Sequence, residues 1–427
     1  MSTSPSSSLS PPADALSFTQ RFAMFAVCCL AVSVSLGVAL VSLSKLLMLM
    51  AVALKLVQRF RAPVTQVGAT ASHRVPIPLT LWCVLLALSW MALTTLWTEA
   101  PGELIVPSLM RHARFWVLVA VWYLIDTPRQ AWTVIKCLLA GHVFLVVTSW
   151  LMWSGVKVPW AVGMAADDLS QGIPFASRLE QPILYTLAMT QVWYWREHLS
   201  ARARSWVLWG VLGLTFLNFA LVMTGRSGYV SLLLAMSLML LLGLPKRWRV
   251  GALVVPLLAA VVLYNVSPRI HEGANLVYSD VVRYQQGDIS TNQGQRLEFW
   301  HRSLQAIHDA PWLGHGVGSW NKTYLEHGGA YPTVSNPHQQ FLLWAVEAGL
   351  VGLLALLAIF WALWRDARDL PRPASHALWV VTGVSLGISM MNCPFFGAGL
   401  GEYFGLLMGV LLAQRTSTSS APQPSGQ

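Results

Sequence analysis

Long apolar runs separated by short polar connections constrain this chain more than any other feature. Of its 427 residues, 55% are hydrophobic and only 11% are charged, whereas about 25% of the residues in a soluble protein are charged. A helix needs about 20 apolar residues to cross a bilayer, and many of the runs approach this length. The composition excludes a soluble globular enzyme and a disordered protein, and it predicts an all-α integral membrane protein.

The apolar runs are sufficient for about twelve membrane-spanning helices. The first run, residues 22–57, is long enough for two spans that meet near Gly37. The other predicted spans cover residues 77–97, 115–125, 131–153, 182–195, 205–223, 227–244, 252–266, 341–364, 376–391 and 401–412. The predicted organisation is a disordered tail (1–17), nine spans (18–266), a large partly helical loop (267–340), three spans (341–414) and a disordered tail (415–427).

Lysines and arginines are distributed unevenly between the two sides that these spans define. One side carries fifteen Lys and Arg against five acidic residues, and the other carries ten against eleven. Loops rich in Lys and Arg stay in the cytoplasm, so both termini are predicted to be cytoplasmic and loop 267–340 periplasmic. The net charge of +10 is therefore largely an orientation signal and not a nucleic-acid signature. The five cysteines show no zinc or disulfide spacing.

The 267–340 loop is too long to be a simple linker, because loops of more than about 15 residues are usually functional or disordered. Apolar residues recur in it at helical spacing: Leu297, Trp300, Leu304 and Ile307. This spacing predicts an amphipathic helix on the membrane surface, with Arg296 in its opening turn and Pro311 at its end.

Four short motifs on the outer side carry the candidate chemistry: residues 224–229 (TGRSGY), 295–300 (QRLEFW), 311–320 (PWLGHGVGSW) and 336–340 (NPHQQ). Arg226 lies between glycines, so that its guanidinium and neighbouring backbone N–H groups could bind an anion. The alternative is an arginine that snorkels to lipid phosphate. For Arg296, a surface salt bridge with Glu298 is an equally good explanation.

The other two motifs combine glycines with a histidine. Gly314, Gly316 and Gly318 would let the backbone approach a ligand or a lipid headgroup closely, unless they form a plain turn. Asn336 is a candidate N-cap of the following helix, which would place His338 in its first turn. The positive end of that helix would favour the neutral imidazole that a general base requires, although a lone histidine is usually structural.

Together these residues suit one reaction on a lipid-diphosphate sugar donor. Arginines bind phosphate oxygens bidentately, and His338 could deprotonate an acceptor hydroxyl that attacks the anomeric carbon. Because arginines can stabilise the leaving diphosphate, we expect no metal ion and no other cofactor. The adjacent acids Asp167 and Asp168 are the alternative metal site, but no further acids cluster with them.

These motifs resemble those of the O-antigen ligase family, which shares this region with O-antigen polymerases and bacterial protein O-oligosaccharyltransferases. The resemblance implies transfer of O-antigen polysaccharide from undecaprenyl diphosphate to lipid A–core oligosaccharide. It places this reaction at the periplasmic face of the bacterial inner membrane, without a nucleotide. It also implies that Arg226 and Arg296 bind the diphosphate and that His338 is the catalytic base.

Two further residues complete the candidate site, the first from the same resemblance and the second from its position in the sequence. Arg178 is a candidate third arginine, although the family's glycine and Pro-Asn pattern is replaced by Glu180-Gln181-Pro182. Glu347 lies close to His338 in the sequence and could orient the substrate or pair with an arginine.

Other functions stay open from the sequence. A polymerase or a protein-glycosylating transferase would use the same donor and differ only in its acceptor; the short segment after the last predicted span favours the ligase. A transporter would need charged residues paired within the bilayer. The candidates for such pairs are scattered along the sequence: Lys45, Lys55, Lys136, Glu347 and Glu402.

Overall fold

A computed structural model describes residues 17–61, 76–162, 168–223, 225–266 and 268–415, and every regular element in these ranges is a helix. The helices before residue 267 are α1 (Phe18–Ser33), α2 (Val38–Arg61), α3 (Leu79–Leu93), α4 (Gly102–His112), α5 (Trp116–Leu124), α6 (Pro128–Trp153), α7 (Gln181–Trp195), α8 (Ala201–Leu221), α9 (Arg226–Gly243) and α10 (Arg249–Val266). The later helices are α11 (Pro268–Gln285), α12 (Asn292–Asp309), α13 (Trp320–Glu326), α14 (Gln340–Asp366), α15 (Arg372–Ser389) and α16 (Leu400–Leu412). The two predicted tails lie outside the described residues, apart from Ser17 and Arg415.

Within the described ranges, six helical segments are long and apolar enough to cross a membrane. They are Val38–Arg61, Leu79–Leu96, Gly102–Leu124, Pro128–Trp153, Ala201–Leu221 and Gln340–Asp369. Three shorter apolar helices are Phe18–Ser33, Ser227–Gly243 and Leu400–Leu412. These helices make the chain a multi-pass membrane protein, and twelve as the number of spans stays a prediction.

Small residues allow neighbouring helices to approach each other closely. A Cβ atom on Gly141 of α6 would lie 2.7 Å from the carbonyl oxygen of Val32 in α1. One on Gly409 of α16 would lie 2.7 Å from the Leu118 oxygen in α5. Such contacts matter in lipid, where close packing and not the hydrophobic effect holds helices together.

Side-chain contacts between distant segments stay on one side of the predicted topology. On the predicted cytoplasmic side these pairs are Lys55–Asp126, Thr80–Asp366 and Arg415–Asp369. On the opposite side they are His315–Glu99 and Lys322–Glu99. This separation agrees with the predicted alternation of loops.

The amphipathic helix predicted in the large loop exists as α12, but its buried face differs from the predicted one. Its N-cap is Thr291, whose side chain accepts a hydrogen bond from the Gly294 N–H. The residues packed inward are Phe299, Ser303 and Ala306, while Leu304 is 58% exposed. Residues of α13 and α14 pack against Phe299. These contacts, and not only the apolar residues at helical spacing, decide which face of α12 is buried.

The segment that contains the three glycines inserts into a break in α14. Gly349 has a φ of 66° and interrupts that helix, which leaves backbone groups around it without their usual helical partners. The backbone N–H groups of His315 and Gly316 donate to the oxygens of Val346 and Glu347 (2.9 and 2.8 Å), and Leu350 N–H donates to the Pro311 oxygen (2.8 Å). The loop is thereby attached to a membrane helix through the backbone.

Candidate active site

His338 has an unusual backbone conformation just before α14. Its φ is 52°, a left-handed value for a residue with a side chain, and its backbone N–H donates to Asn336 Oδ1 at 3.0 Å. The predicted N-cap at Asn336 is therefore wrong. Since the left-handed residue cannot continue a helix, the cap is Gln339, whose side chain accepts from Leu342 N–H at 2.6 Å.

The surroundings of His338 favour its neutral form. Burial lowers the pKa of His338, and the nearby Arg296 charge lowers it further, while a hydrogen bond with the Asn392 side chain raises it. The sequence attributed a low pKa to the helix end, whereas the causes here are burial and Arg296. The ring also lies 6.0 Å from the ring of Phe299.

Arg296 comes from α12 and lies one turn later in it than predicted, because that helix begins at Asn292. Its guanidinium donates to the Met391 carbonyl oxygen at 3.3 Å. The neighbouring Glu298 carboxylate is buried and pairs with Arg302 at 2.8 Å. Arg296 and His338, which are far apart in the sequence, thus lie close enough for one charge to influence the other's titration.

The connection between α15 and α16, residues 390–399, contacts both Arg296 and His338. The sequence did not predict this role. Asn392 contacts His338, and the Cys393 thiol lies against the backbone of His338 and Gln339. Phe395 N–H donates to Gln340 Oε1 at 3.3 Å. The segment contains one asparagine and no charged residue (MMNCPFFGAG), so its composition gave no signal of a site.

Arg178 and the backbone of Arg226 lie on segments that pack closely together. A Cβ on Gly225 would lie 2.1 Å from the Arg178 carbonyl oxygen, and one on Gly228 would lie 2.2 Å from Pro182. Ser227 Oγ donates to the Leu179 oxygen at 3.1 Å. The glycines of this motif therefore allow contact with the neighbouring segment. The Arg178 side chain is exposed, while Thr224 and the side chain of Arg226 lie outside the described part of the structure.

Gly314, Gly316 and Gly318 have positive φ values of 69°, 87° and 80°. Their close contacts are with the chain itself, which differs from the predicted approach to a ligand. A Cβ on Gly314 would lie 2.5 Å from Gly349 N, and one on Gly316 would lie 2.2 Å from Thr98 Cα. These residues dock the 267–340 loop onto α14 and onto the segment that contains Thr98.

Glu347 is 1% exposed, and its carboxylate lies 2.7 Å from His112 Nε2. Its partner is a histidine from α4, and not the arginine that the sequence suggested.

Two of the charged residues that are scattered along the sequence, Lys45 and Glu402, form an ion pair in the structure. Lys45 and Arg114 lie 2.6 and 3.2 Å from the same oxygen of Glu402, which is fully buried. The other Glu402 oxygen accepts from Gly399 N–H at 2.9 Å. One carboxylate thus joins α2, the turn before α5 and the start of α16.

The arrangement suits anion binding beside a proton acceptor. Arg296 supplies a planar cation that can form two parallel hydrogen bonds with phosphate oxygens, and the neutral imidazole of His338 can accept a proton. The part of the chain that the structure describes contains no group of three or more His, Cys, Asp or Glu arranged for a metal ion. Asp167 lies outside that part.

Residues 210–357 match the sequence model of a family described as O-antigen ligase. The match confirms the resemblance found in the motifs; it covers less than half of the chain and includes all four motifs, but not Arg178. It supports a membrane enzyme that transfers lipid-linked glycans. No curated protein matches this chain. A chain in the solved structure "Structural coordination of polymerization and crosslinking by a peptidoglycan synthase complex" is 18% identical, with a TM-score of 0.43, over 80% of this chain and 98% of that one.

Proposed function

We propose that this protein is an O-antigen ligase. It transfers O-antigen polysaccharide from undecaprenyl diphosphate to a hydroxyl of lipid A–core oligosaccharide at the periplasmic face of the inner membrane, with both termini in the cytoplasm. The observation that carries the proposal is the site around residues 391–393. There the half-buried imidazole of His338 is hydrogen-bonded to Asn392, and the guanidinium of Arg296 donates to Met391. His338 and Arg296 both belong to the region that matches the family.

His338 acts as the general base in the proposed reaction. One ring nitrogen is hydrogen-bonded to Asn392, and the other accepts the proton of the acceptor hydroxyl. The resulting oxygen attacks the anomeric carbon of the donor sugar, the bond from that carbon to the diphosphate oxygen breaks, and undecaprenyl diphosphate leaves. General-base assistance of this kind typically contributes about 10²–10⁴-fold to the rate.

The arginines bind the leaving group. Arg296, Arg226 and Arg178 are assigned to the diphosphate, whose charge grows as the glycosidic bond breaks. The packing of the Arg178 backbone against Gly225, the neighbour of Arg226, supports a shared role for Arg178 and Arg226. Gly314, Gly316, Gly318 and Asn336 support the site indirectly, by docking the outer loop and by holding the backbone of His338.

A transfer assay with the purified protein tests the proposal. The lipid-linked polymer is supplied with lipid A–core, with a second lipid-linked glycan or with an acceptor protein, each with and without a chelator. We expect transfer to lipid A–core, unaffected by the chelator, and loss of this transfer in His338→Ala protein that still inserts into the membrane. Transfer only to the second glycan or to protein would identify a polymerase or a protein-glycosylating enzyme.

The Lys45–Glu402–Arg114 network gives the transporter alternative its one supporting observation. Glu402 also caps the backbone of α16, so we assign the network a structural role. Movement of lipid-linked glycan across vesicles, without transfer to any acceptor, would favour the transporter and refute the enzyme.

A further inference from the structure

We propose that Arg111 is an additional residue that binds the diphosphate of the lipid-linked donor. The sequence motifs did not include it. The inference deepens the proposed function and rests on it, because a lipid diphosphate is the ligand.

Arg111 lies in the last turn of α4 with its guanidinium 4.8 Å from the centre of the Phe396 ring. Among the residues that the structure describes, no carboxylate oxygen lies within 4.0 Å of this guanidinium, and the side chain is partly exposed. Arg114, one turn later, is engaged with Glu402 and with the Phe396 carbonyl oxygen. Arg111 is therefore the arginine of this pair that has hydrogen-bonding capacity for a ligand.

Phe396 holds Arg111 between Arg296, on one side, and the segments that carry Arg178 and Arg226, on the other. The ring belongs to the same buried cluster as Phe299 and Cys393, which contact His338. On the other side, a Cβ on the next residue, Gly397, would lie 3.5 Å from Glu180 Oε1.

Glu180 belongs to the segment that carries Arg178. The preceding residue, Leu179, accepts the hydrogen bond from Ser227 beside Arg226. The connection formed by residues 390–399 therefore has the Arg296 and His338 group at one end and the Arg178 and Arg226 segments at the other. Arg111 lies between them.

The chemistry of a stacked arginine fits this position. An aromatic ring that covers one face of the guanidinium leaves its N–H edge free for hydrogen bonding. A diphosphate presents two phosphoryl groups, and bidentate contact of each requires more than one arginine. Arg111 would bind the phosphoryl group that Arg296 does not contact, so it should matter more for a diphosphate than for a monophosphate.

Binding of two lipids to the full-length protein in nanodiscs tests this inference. The probes are undecaprenyl diphosphate and undecaprenyl monophosphate, and the variants are Arg111→Gln, Arg111→Lys and Arg296→Gln. Loss of a charge-assisted hydrogen bond should weaken binding of the diphosphate by about tenfold or more in Arg111→Gln. Binding of the monophosphate should change little, and Arg111→Lys should retain part of the preference.

Two further variants separate a binding role from an effect on folding. Arg283→Gln is the matched control, because Arg283 also lies on the outer side but pairs with Asp288 at 2.5 Å, and it should behave as wild type. Phe396→Leu retains an apolar side chain but removes the stacking surface, and it should reduce the diphosphate preference in the same direction as Arg111→Gln.

Unchanged diphosphate binding in Arg111→Gln, with weakened binding in Arg296→Gln, would overturn the inference and leave the proposed function standing. Equal weakening for both lipids would also overturn it, since general electrostatic attraction would then account for Arg111. If the wild-type protein shows no preference for the diphosphate, the proposed function itself fails.

Discussion

At the level of single residues, the environment of His338 gives the site its pH dependence. Burial and the Arg296 charge lower its pKa below 6.5, whereas the hydrogen bond with Asn392 raises it. The base must be unprotonated to act, so activity should fall as the pH decreases through the pKa of the free enzyme. Arg296 and Asn392 shift the pKa of His338 in opposite directions, so mutation of each residue can separate their effects.

We predict that Arg296→Gln and Asn392→Ala move the acidic limb of the kcat/KM profile in opposite directions. The Arg296 charge disfavours the imidazolium, so without it the pKa of His338 rises and the limb moves to higher pH. Removing the Asn392 hydrogen bond lowers the pKa, and the limb moves to lower pH. Transfer rates measured across the pH range with the acceptor well below its KM check both shifts.

Arg283→Gln is the control for this prediction. Arg283 pairs with Asp288 in an exposed position and is not among the groups that shift the pKa of His338, so this variant should leave the limb where it is. Shifts of the same sign in Arg296→Gln and Asn392→Ala would contradict the assignment of His338 as the titrating base.

At the level of helices and loops, the glycines of the 311–318 segment attach the 267–340 loop to α14. We predict that Gly316→Ala destabilises the protein more than Gly287→Ala. Both glycines have positive φ, 87° and 91°, so both substitutions incur backbone strain of about 1–3 kcal/mol. Only Gly316 meets another atom, Thr98 Cα at 2.2 Å, while a Cβ on Gly287 would meet nothing within 4 Å. Thermal unfolding in detergent measures the difference, and equal losses would exclude tight docking at Thr98.

The Glu347–His112 pair joins α14 to α4 in a buried environment. We predict that Glu347→Leu destabilises the protein by about 3–5 kcal/mol, because removing one member of a buried pair leaves the other without its partner. The double variant with His112→Leu should recover part of this loss. Thermal unfolding of both variants checks the prediction. Unchanged stability together with lost transfer activity would instead indicate a direct role of Glu347 in catalysis.

At the level of the whole molecule, the sequence predicted the membrane class and the helical composition. These properties depend on local composition and periodicity. It could not predict the Asn392 and Phe396 contacts, because an uncharged connection between two helices acquires a role only through residues distant in the sequence. It also misplaced the buried face of α12 and the cap of α14, where the inward partners and one left-handed backbone angle decide the local structure.

The orientation of the whole molecule is the last prediction, and it follows from the uneven distribution of arginines between the two sides. His308 and Glu197 lie on opposite sides of the predicted topology, and their side chains are 90% and 64% exposed. In a protein whose five native cysteines are replaced, His308→Cys should react with a membrane-impermeant thiol reagent in intact spheroplasts. Glu197→Cys should react only after lysis, because loops rich in Lys and Arg stay in the cytoplasm. Retained transfer activity shows that each variant folds. The reverse labelling pattern would place the His338 site in the cytoplasm, where lipid A–core in the outer leaflet could not reach it.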